Sequence, residues 1–280
     1  MSGMKIATLA GTALAVVMAA MPGTALAQDT SVTDVGEVVV TSRKREERLV
    51  EVPAAVTAIS AADREALVLE DLDDYLRQVP GATLVASGPE YLNDITIRGQ
   101  GSGRLGFSEA ATGLYRDGLY MAGGGFGGRS LGKMDYLDAA QVEVLRGPQG
   151  ALFGRNSVGG AINVVTQAPT FRTEGNLTLR YSDPEKSTIE STVNVPLVED
   201  VLALRVSGFM DEQRAGFIRN LATGNDLDTQ SSDGFRAALR WLPSEALSID
   251  LMFETSSTDA SAFGLGRRAL RSDGTPLDPS

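Results

Sequence analysis

From Pro169 onward the chain alternates in character with a period of two residues. Leu177, Leu179 and Tyr181 interleave with Asn176, Thr178 and Arg180, and Ile189, Val193, Val195 and Leu197 with Thr188, Glu190, Thr192 and Asn194. Leu202, Leu204, Val206 and Met210 stand opposite Arg205, Ser207 and Asp211. Phe235, Ala237, Leu239 and Trp241 stand opposite Arg236 and Arg240, and Leu247, Ile249, Leu251 and Phe253 opposite Ser248, Asp250 and Glu254. Such a pattern gives strands with one apolar and one polar face. Segments of roughly ten residues fit a transmembrane barrel; a soluble sandwich alternates too. The turns near Val198-Glu199-Asp200 and Pro243-Ser244-Glu245-Ala246 are short, whereas the connection from Gln213 to Ser231 is long and polar. Short turns at one end and long loops at the other favour a barrel, with Trp241 in the girdle at the short-turn, periplasmic end.

The N-terminus sets the compartment. Lys5 is followed by an apolar run from Ile6 to Met21, a Pro22-Gly23 break and the small residues Ala25-Leu26-Ala27. This is the form of a secretory signal peptide cleaved after Ala27, and the run is short for a membrane anchor. No later stretch has the apolar continuity of a membrane helix, so any crossing falls to strands. Cysteine and histidine are both absent, which removes disulfides, histidine-based acid–base catalysis and the usual histidine metal sites. A net charge of -11 argues against a nucleic-acid partner. The carboxylates include no pair set apart for hydrolysis, so no enzyme, catalytic residue or cofactor is expected.

Residues 28–36 are polar and aperiodic, a flexible tail. Glu37-Val38-Val39-Val40-Thr41 is a short β-prone run before the charged cluster 42–48. It reads either as the first strand of the following domain or as a strand for pairing with another protein's sheet edge. Pro53 to Ile59 predicts a strand. Ser60 with Asp63 forms a capping box that opens a helix. A second helix over Leu72 to Gln78 turns Leu72, Tyr75, Leu76 and Val79 to one face and ends at Pro80-Gly81. Strands follow at Ala82 to Ala86 and Ile95 to Arg98. The glycines at 99–103 lack the G-x-G-x-x-G spacing and a following helix, so they make no nucleotide loop. Asp117-Gly118 between strand-like runs signals a hairpin.

The stretch Leu145 to Thr166, LRGPQGALFGRNSVGGAINVVT, joins a strand at Gln141 to Leu145 to a second at Ala161 to Val165 through a glycine-punctuated bend. It closely resembles the end of the plug domain in TonB-dependent outer-membrane receptors. The "IRG" at Ile97-Arg98-Gly99 and the "YRDG" at Tyr115 to Gly118 resemble plug elements as well, and Glu37 to Thr41 resembles the TonB box. The resemblance covers nearly all of the chain beyond Glu37. It implies an α+β plug domain, a small mixed sheet with short helices, followed by antiparallel strands of an incomplete transmembrane β-barrel. The expected boundaries are 1–27 for the signal peptide, 28–49 for the tail with its box-like strand, 50–169 for the plug and 170–280 for the barrel part.

The implied function is receptor-mediated active uptake across the outer membrane of a scarce ligand such as a ferric siderophore. The implied partners are outer-membrane lipid, the extracellular ligand and a TonB-type inner-membrane energy transducer that grips Glu37, Val38, Val39, Val40 and Thr41. Glu143, Arg146 and Arg155 stand among apolar and glycine neighbours and need pairing. The resemblance implies ion pairs that lock the plug, with Arg98 and Arg146 foremost, so Arg98, Glu143, Arg146 and Arg155 are the expected plug lock. Arg104, Phe107, Tyr120 and Phe126 are the candidates for ligand contact from apical loops. Plugged transporters of this kind have about 22 strands, whereas five follow the plug here. The chain is therefore expected to be a truncated or partial receptor; the alternative is a plug-only periplasmic module that engages the transducer without transporting.

Overall fold

The computed structural model describes residues 39–40, 47–52, 54–86, 93–101, 110–121, 132–183, 185–216, 218–219, 226–227 and 229–260. Two short strands, β1 (Val39–Val40) and β2 (Glu47–Arg48), pair antiparallel ahead of the first domain. That domain runs β3 (Ala55–Ser60), α1 (Ala61–Leu67), α2 (Leu72–Arg77), β4 (Ala82–Ala86), β5 (Asn93–Ile97), β6 (Thr112–Arg116), β7 (Leu119–Tyr120), α3 (Lys133–Tyr136), β8 (Ala139–Arg146), α4 (Gly150–Phe153) and β9 (Gly160–Thr166). The wall follows with β10 (Glu174–Ser182), β11 (Lys186–Val198), β12 (Leu202–Gln213), β13 (Ile218–Arg219), β14 (Asp226–Leu227), β15 (Gln230–Ser244) and β16 (Leu247–Ala260).

The helix starts follow the sequence chemistry. Ser60 Oγ accepts from the Asp63 amide at 3.1 Å and Asp63 Oδ2 accepts from the Ser60 amide at 2.9 Å, the reciprocal capping box. Asp71 and Asp74 repeat it at the head of α2. Asp117 and Gly118 both take positive φ, 49° and 75°, which a two-residue hairpin turn requires, and Tyr115 pairs with Tyr120 across it.

The first domain is built on a five-stranded mixed sheet of order β3-β8-β9-β6-β7, with β6 and β9 parallel. One face carries Ile59, Val142, Val144, Ile162, Val164 and Leu114 against Leu72, Tyr75, Leu76 and Val79 from α2, with Tyr75 stacked on Tyr136 at 4.7 Å. The opposite face packs Leu145, Ala161 and Tyr115 on Phe153. Gly160 is needed where β8 and β9 meet, because a Cβ there would overlap the Leu145 carbonyl and come within 2.9 Å of Ile97 Cδ1.

The wall is one antiparallel sheet of order β10-β11-β12-β15-β16. Its burial is inverted relative to a soluble sheet. Leu179 is 67% and Phe253 64% exposed on the outer face, whereas Arg236 is 4% exposed on the face that meets the first domain. A sandwich would bury the apolar face. An apolar face turned outward and a polar face turned in is the membrane-barrel arrangement.

Candidate functional site

The contact between the first domain and the wall is made almost entirely of charges and hydrogen bonds, and it centres on residues 132–138. The short helix α3 begins with the Gly132 amide donating to Asp135 Oδ2 at 2.9 Å. Asp135 Oδ1 accepts from Arg116 Nη1 at 2.8 Å, and the other arm of Arg116 pairs with Glu254 of the wall. Glu254 also accepts from Arg236 Nε at 3.3 Å. Arg236 in turn donates to the carbonyls of Leu137 at 2.8 Å and Met134 at 2.9 Å. A wall guanidinium thus satisfies carbonyls that a helix end leaves open. Among the described residues, the buried apolar cluster at this contact is Phe209 packed on Met134 and Leu137. Phe209 lies over Gly234 of the next strand, where a Cβ would also come 2.9 Å from Met134 Sδ.

Asp138, in the left-handed region at φ 54°, is gripped by both arms of Arg205, Nε at 2.5 Å and Nη2 at 2.6 Å, and by Ser207 Oγ at 3.0 Å. Fork-to-carboxylate pairs of this kind are the strong ones. Further pairs tie α1, the α1–α2 link and the start of α3 to the wall. Arg64 meets Glu190 at 2.7 Å, Glu70 meets Lys186 at 2.8 Å, and Lys133 stands 3.2 Å from both Glu190 and Asp211. The chain's passage from β9 to β10 is held by Asn194, which is fully buried on the inner side of β11. A polar cleft of about 310 Å³ remains between α1 and β10–β12, lined by Arg64, Asp138, Thr178, Arg180, Glu190 and Arg205.

Burial and charge act against each other here. At Glu70, burial pushes the carboxyl up, but the hydrogen bond from Lys186 and the charges of Lys133, Lys186 and Arg180 together hold it below its ordinary value. At Asp135 burial prevails, and Arg116 only partly offsets the rise. Burial likewise pushes the Tyr75 hydroxyl up to about 12.

The residues singled out from sequence fall in several places. Glu143 is fully buried in the sheet, accepting from Gln141 Nε2 at 2.7 Å and Asn163 Nδ2 at 3.3 Å. Arg146 donates Nη1 to the Pro80 carbonyl at 3.3 Å. Arg98 takes a left-handed backbone at φ 54°, and its Nη1 lies 3.2 Å from where a Cβ on Gly147 would stand, so its guanidinium sits beside Arg146's neighbour. Arg155 is exposed. Among the described residues, Arg98, Arg146 and Arg155 meet no wall carboxylate. Tyr120 packs its ring 5.5 Å from Tyr115 and accepts from Asn156 Nδ2 at 2.8 Å. Val39 and Val40 form β1, and Val40 is fully buried. Glu37, Val38, Thr41, Arg104, Phe107 and Phe126 lie outside the described residues. The groups that do join domain to wall include Lys133, Asp138, Glu190, Asn194, Arg205 and Arg236, none of which the sequence singles out as a site residue. The polar phase of the wall strands contains four of them, but a phase does not name a partner.

The profile of the TonB-dependent Receptor Plug Domain matches residues 48–161, the segment that forms the mixed sheet and its helices. This segment is a plug domain of the TonB-dependent receptor family. The iron-regulated outer membrane virulence protein of Vibrio cholerae is 33% identical over 66% of this chain and 28% of its own length. The pesticin receptor of Yersinia pestis is 30% identical over 74% of this chain and 29% of its length. The structure of the ferric yersiniabactin uptake receptor from Yersinia pestis superposes with a TM-score of 0.67 at 25% identity, covering 75% of this chain and 32% of that one. The chain thus spans about a third of the length of the receptors it matches. The mixed sheet is the plug, and the five-stranded sheet is receptor barrel wall.

Proposed function

We propose that this chain is the plug-bearing part of a receptor for active uptake of a ferric siderophore or similarly scarce ligand, driven by a TonB-type transducer pulling on Glu37 to Thr41. One observation carries the reading. An α+β plug is held by polar contacts against the inner face of a wall whose outer face is apolar. A dry apolar interface would have no substitute partner on opening, whereas water can replace ion pairs and hydrogen bonds as they separate. In this reading residues 1–27 are a leader, 28–49 the tail, 50–169 the plug and 170–280 wall. Arg98, whose guanidinium lies beside Gly147, and Arg146, which donates to the Pro80 carbonyl, form no ion pair among the described residues and are the proposed lock residues. Tyr120, Arg104, Phe107 and Phe126 are the proposed ligand-contact residues. The cargo class rests on relatives and structures named for iron regulation and ferric yersiniabactin; a relative named as a vitamin B12 transporter makes a cobalamin the second candidate.

The test is uptake of radiolabelled cargo, labelled on iron for the ferric siderophores and on cobalt for cobalamin, by cells that carry the receptor as their sole uptake route. Purified ferric hydroxamate, ferric catecholate and cobalamin are offered with and without the transducer. Uptake of one cargo is expected, abolished without the transducer and by Val40→Pro, with binding retained. Transducer-independent uptake, or no uptake of any cargo, overturns the proposal.

A further inference from the structure

Six charged side chains at the plug–wall junction close into a ring of alternating sign. Glu70 of the plug meets Lys186 at 2.8 Å, and Lys186 lies 4.0 Å from Asp211. Asp211 meets plug Lys133 at 3.2 Å, and Lys133 meets Glu190 at 3.2 Å. Glu190 lies 3.9 Å from Arg180, which returns to Glu70 at 3.6 Å. Every member has two partners of opposite charge. The plug contributes two members that are not adjacent, Glu70 and Lys133, and the wall contributes the four between them. All six side chains are mostly buried, between 10% and 28% exposed. Arg64 adds a further cation on Glu190.

Redundancy of this kind is not needed for a static clamp. A simple buried pair holds well but leaves a stranded charge as soon as one partner moves, and that penalty is large. In a ring, a shift that parts Glu70 from Lys186 leaves Lys186 beside Asp211 and Glu70 beside Arg180. A shift that parts Lys133 from Asp211 leaves it on Glu190. We propose that Glu70, Lys186, Asp211, Lys133, Glu190 and Arg180 form a partner-exchange ring that lets the plug move along the wall without leaving a buried charge unpaired. The proposal rests on the reading that the plug moves during uptake.

Glu70 and Asp211 carry like charge and share Lys186, which makes them the decisive pair. The receptor is embedded in outer membranes, plug release is followed by a urea titration, and vancomycin entry reports a loosened plug in cells; neither readout requires transport. Glu70→Gln and Asp211→Asn are each expected to change plug release mildly, since Lys186 keeps one partner. Together they remove both carboxylates within 4.0 Å of Lys186, leaving it the more distant charge of Asp71, and are expected to shift the release constant about tenfold beyond the combined effect of the singles. Adding Lys186→Met is expected to restore most of that excess. Heat-modifiable migration on gels verifies that each variant has a folded barrel. Additive effects of the two carboxylate changes, or a double variant that Lys186→Met does not rescue, overturn the ring. A receptor that shows the non-additivity but takes up no cargo instead overturns the uptake reading.

Discussion

Asn194 clasps Thr170 with three hydrogen bonds. Its Oδ1 accepts from the Thr170 amide at 3.0 Å, and its Nδ2 donates to the Thr170 carbonyl at 2.7 Å and to Oγ1 at 3.0 Å. The same Nδ2 reaches the Arg172 carbonyl at 2.5 Å. One amide side chain therefore satisfies both the donor and the acceptors of the strand-to-strand passage where plug becomes wall. Asn194→Asp keeps the shape but brings a carboxylate against two carbonyl oxygens, and Asn194→Ala leaves buried groups unpartnered. Both are expected to weaken the passage by about 2 kcal/mol. Faster hydrogen exchange at residues 167–173, with β11 itself unchanged, is the reading that checks it.

Asp138 should be among the costliest plug residues to remove. Arg205 is held between Asp138 and Glu174, and its side chain is only 10% exposed. Asp138→Ala strands much of that charge and also places alanine in the left-handed backbone region, for a loss of about 3 kcal/mol in plug anchoring. Asp138→Asn tolerates the backbone better and keeps one acceptor, so it should fall between wild type and alanine. The urea midpoint of plug release orders the three proteins; equal midpoints would show that the Arg205 fork contributes nothing.

The sequence carried the local elements well and the junction poorly, for a physical reason. Capping boxes, the Asp117-Gly118 turn and period-two strands are chemistry within a few residues, so Ser60, Asp63 and Leu251 could be placed from their neighbours. The junction joins residues far apart in the chain, such as Leu137 with Arg236. No local rule tells which inward arginine takes which plug oxygen. The glycine-rich stretch carries the plug signature and arginines of its own, whereas Lys133 and Asp138 just ahead of it lie in no motif. The short helices α3 and α4 were missed because four residues show no periodicity.

Gly160 is the most restrictive backbone position in the glycine-rich stretch. Alanine there must force the paired strands β8 and β9 apart and also shift the Ile97 side chain. Overpacking of this kind costs about 1–3 kcal/mol, and here the fixed contact is a carbonyl that cannot rotate away. Gly160→Ala is expected to yield a plug cleaved rapidly by protease in isolated membranes, whereas Gly150→Ala, with open space around it, should be as resistant as wild type.

Acid should loosen the junction through Glu70. Its carboxyl is held below the ordinary 4.5 in the folded protein. A carboxyl with a depressed folded value contributes stability that is complete above the unfolded value and is lost as pH falls through the folded one. Plug anchoring should therefore decline below about pH 4.5, and Glu70→Gln should flatten that acid limb while leaving anchoring near neutrality lower than wild type. Asp135 is shifted in the opposite direction and favours the folded state on acidification, so it opposes this decline. A titration of plug release in both proteins separates the two contributions; superimposable acid limbs would remove Glu70 from the account.

The two faces of the wall give a prediction that depends on a single residue step. Leu179 points outward and is 67% exposed, while Thr178 beside it lines the polar cleft toward the plug. Arginine on a lipid-facing strand position costs about 2–4 kcal/mol near the bilayer centre. Arginine at position 178 enters a hydrated polar cleft of about 310 Å³ where Glu190 and Asp138 stand among Arg64, Arg180 and Arg205, so it meets no lipid. Leu179→Arg should therefore reduce the amount of receptor inserted in the outer membrane, and Thr178→Arg should insert normally. If instead Thr178→Arg blocked insertion and Leu179→Arg did not, the apolar face of β10 would be turned inward, and the wall would be part of a soluble sheet.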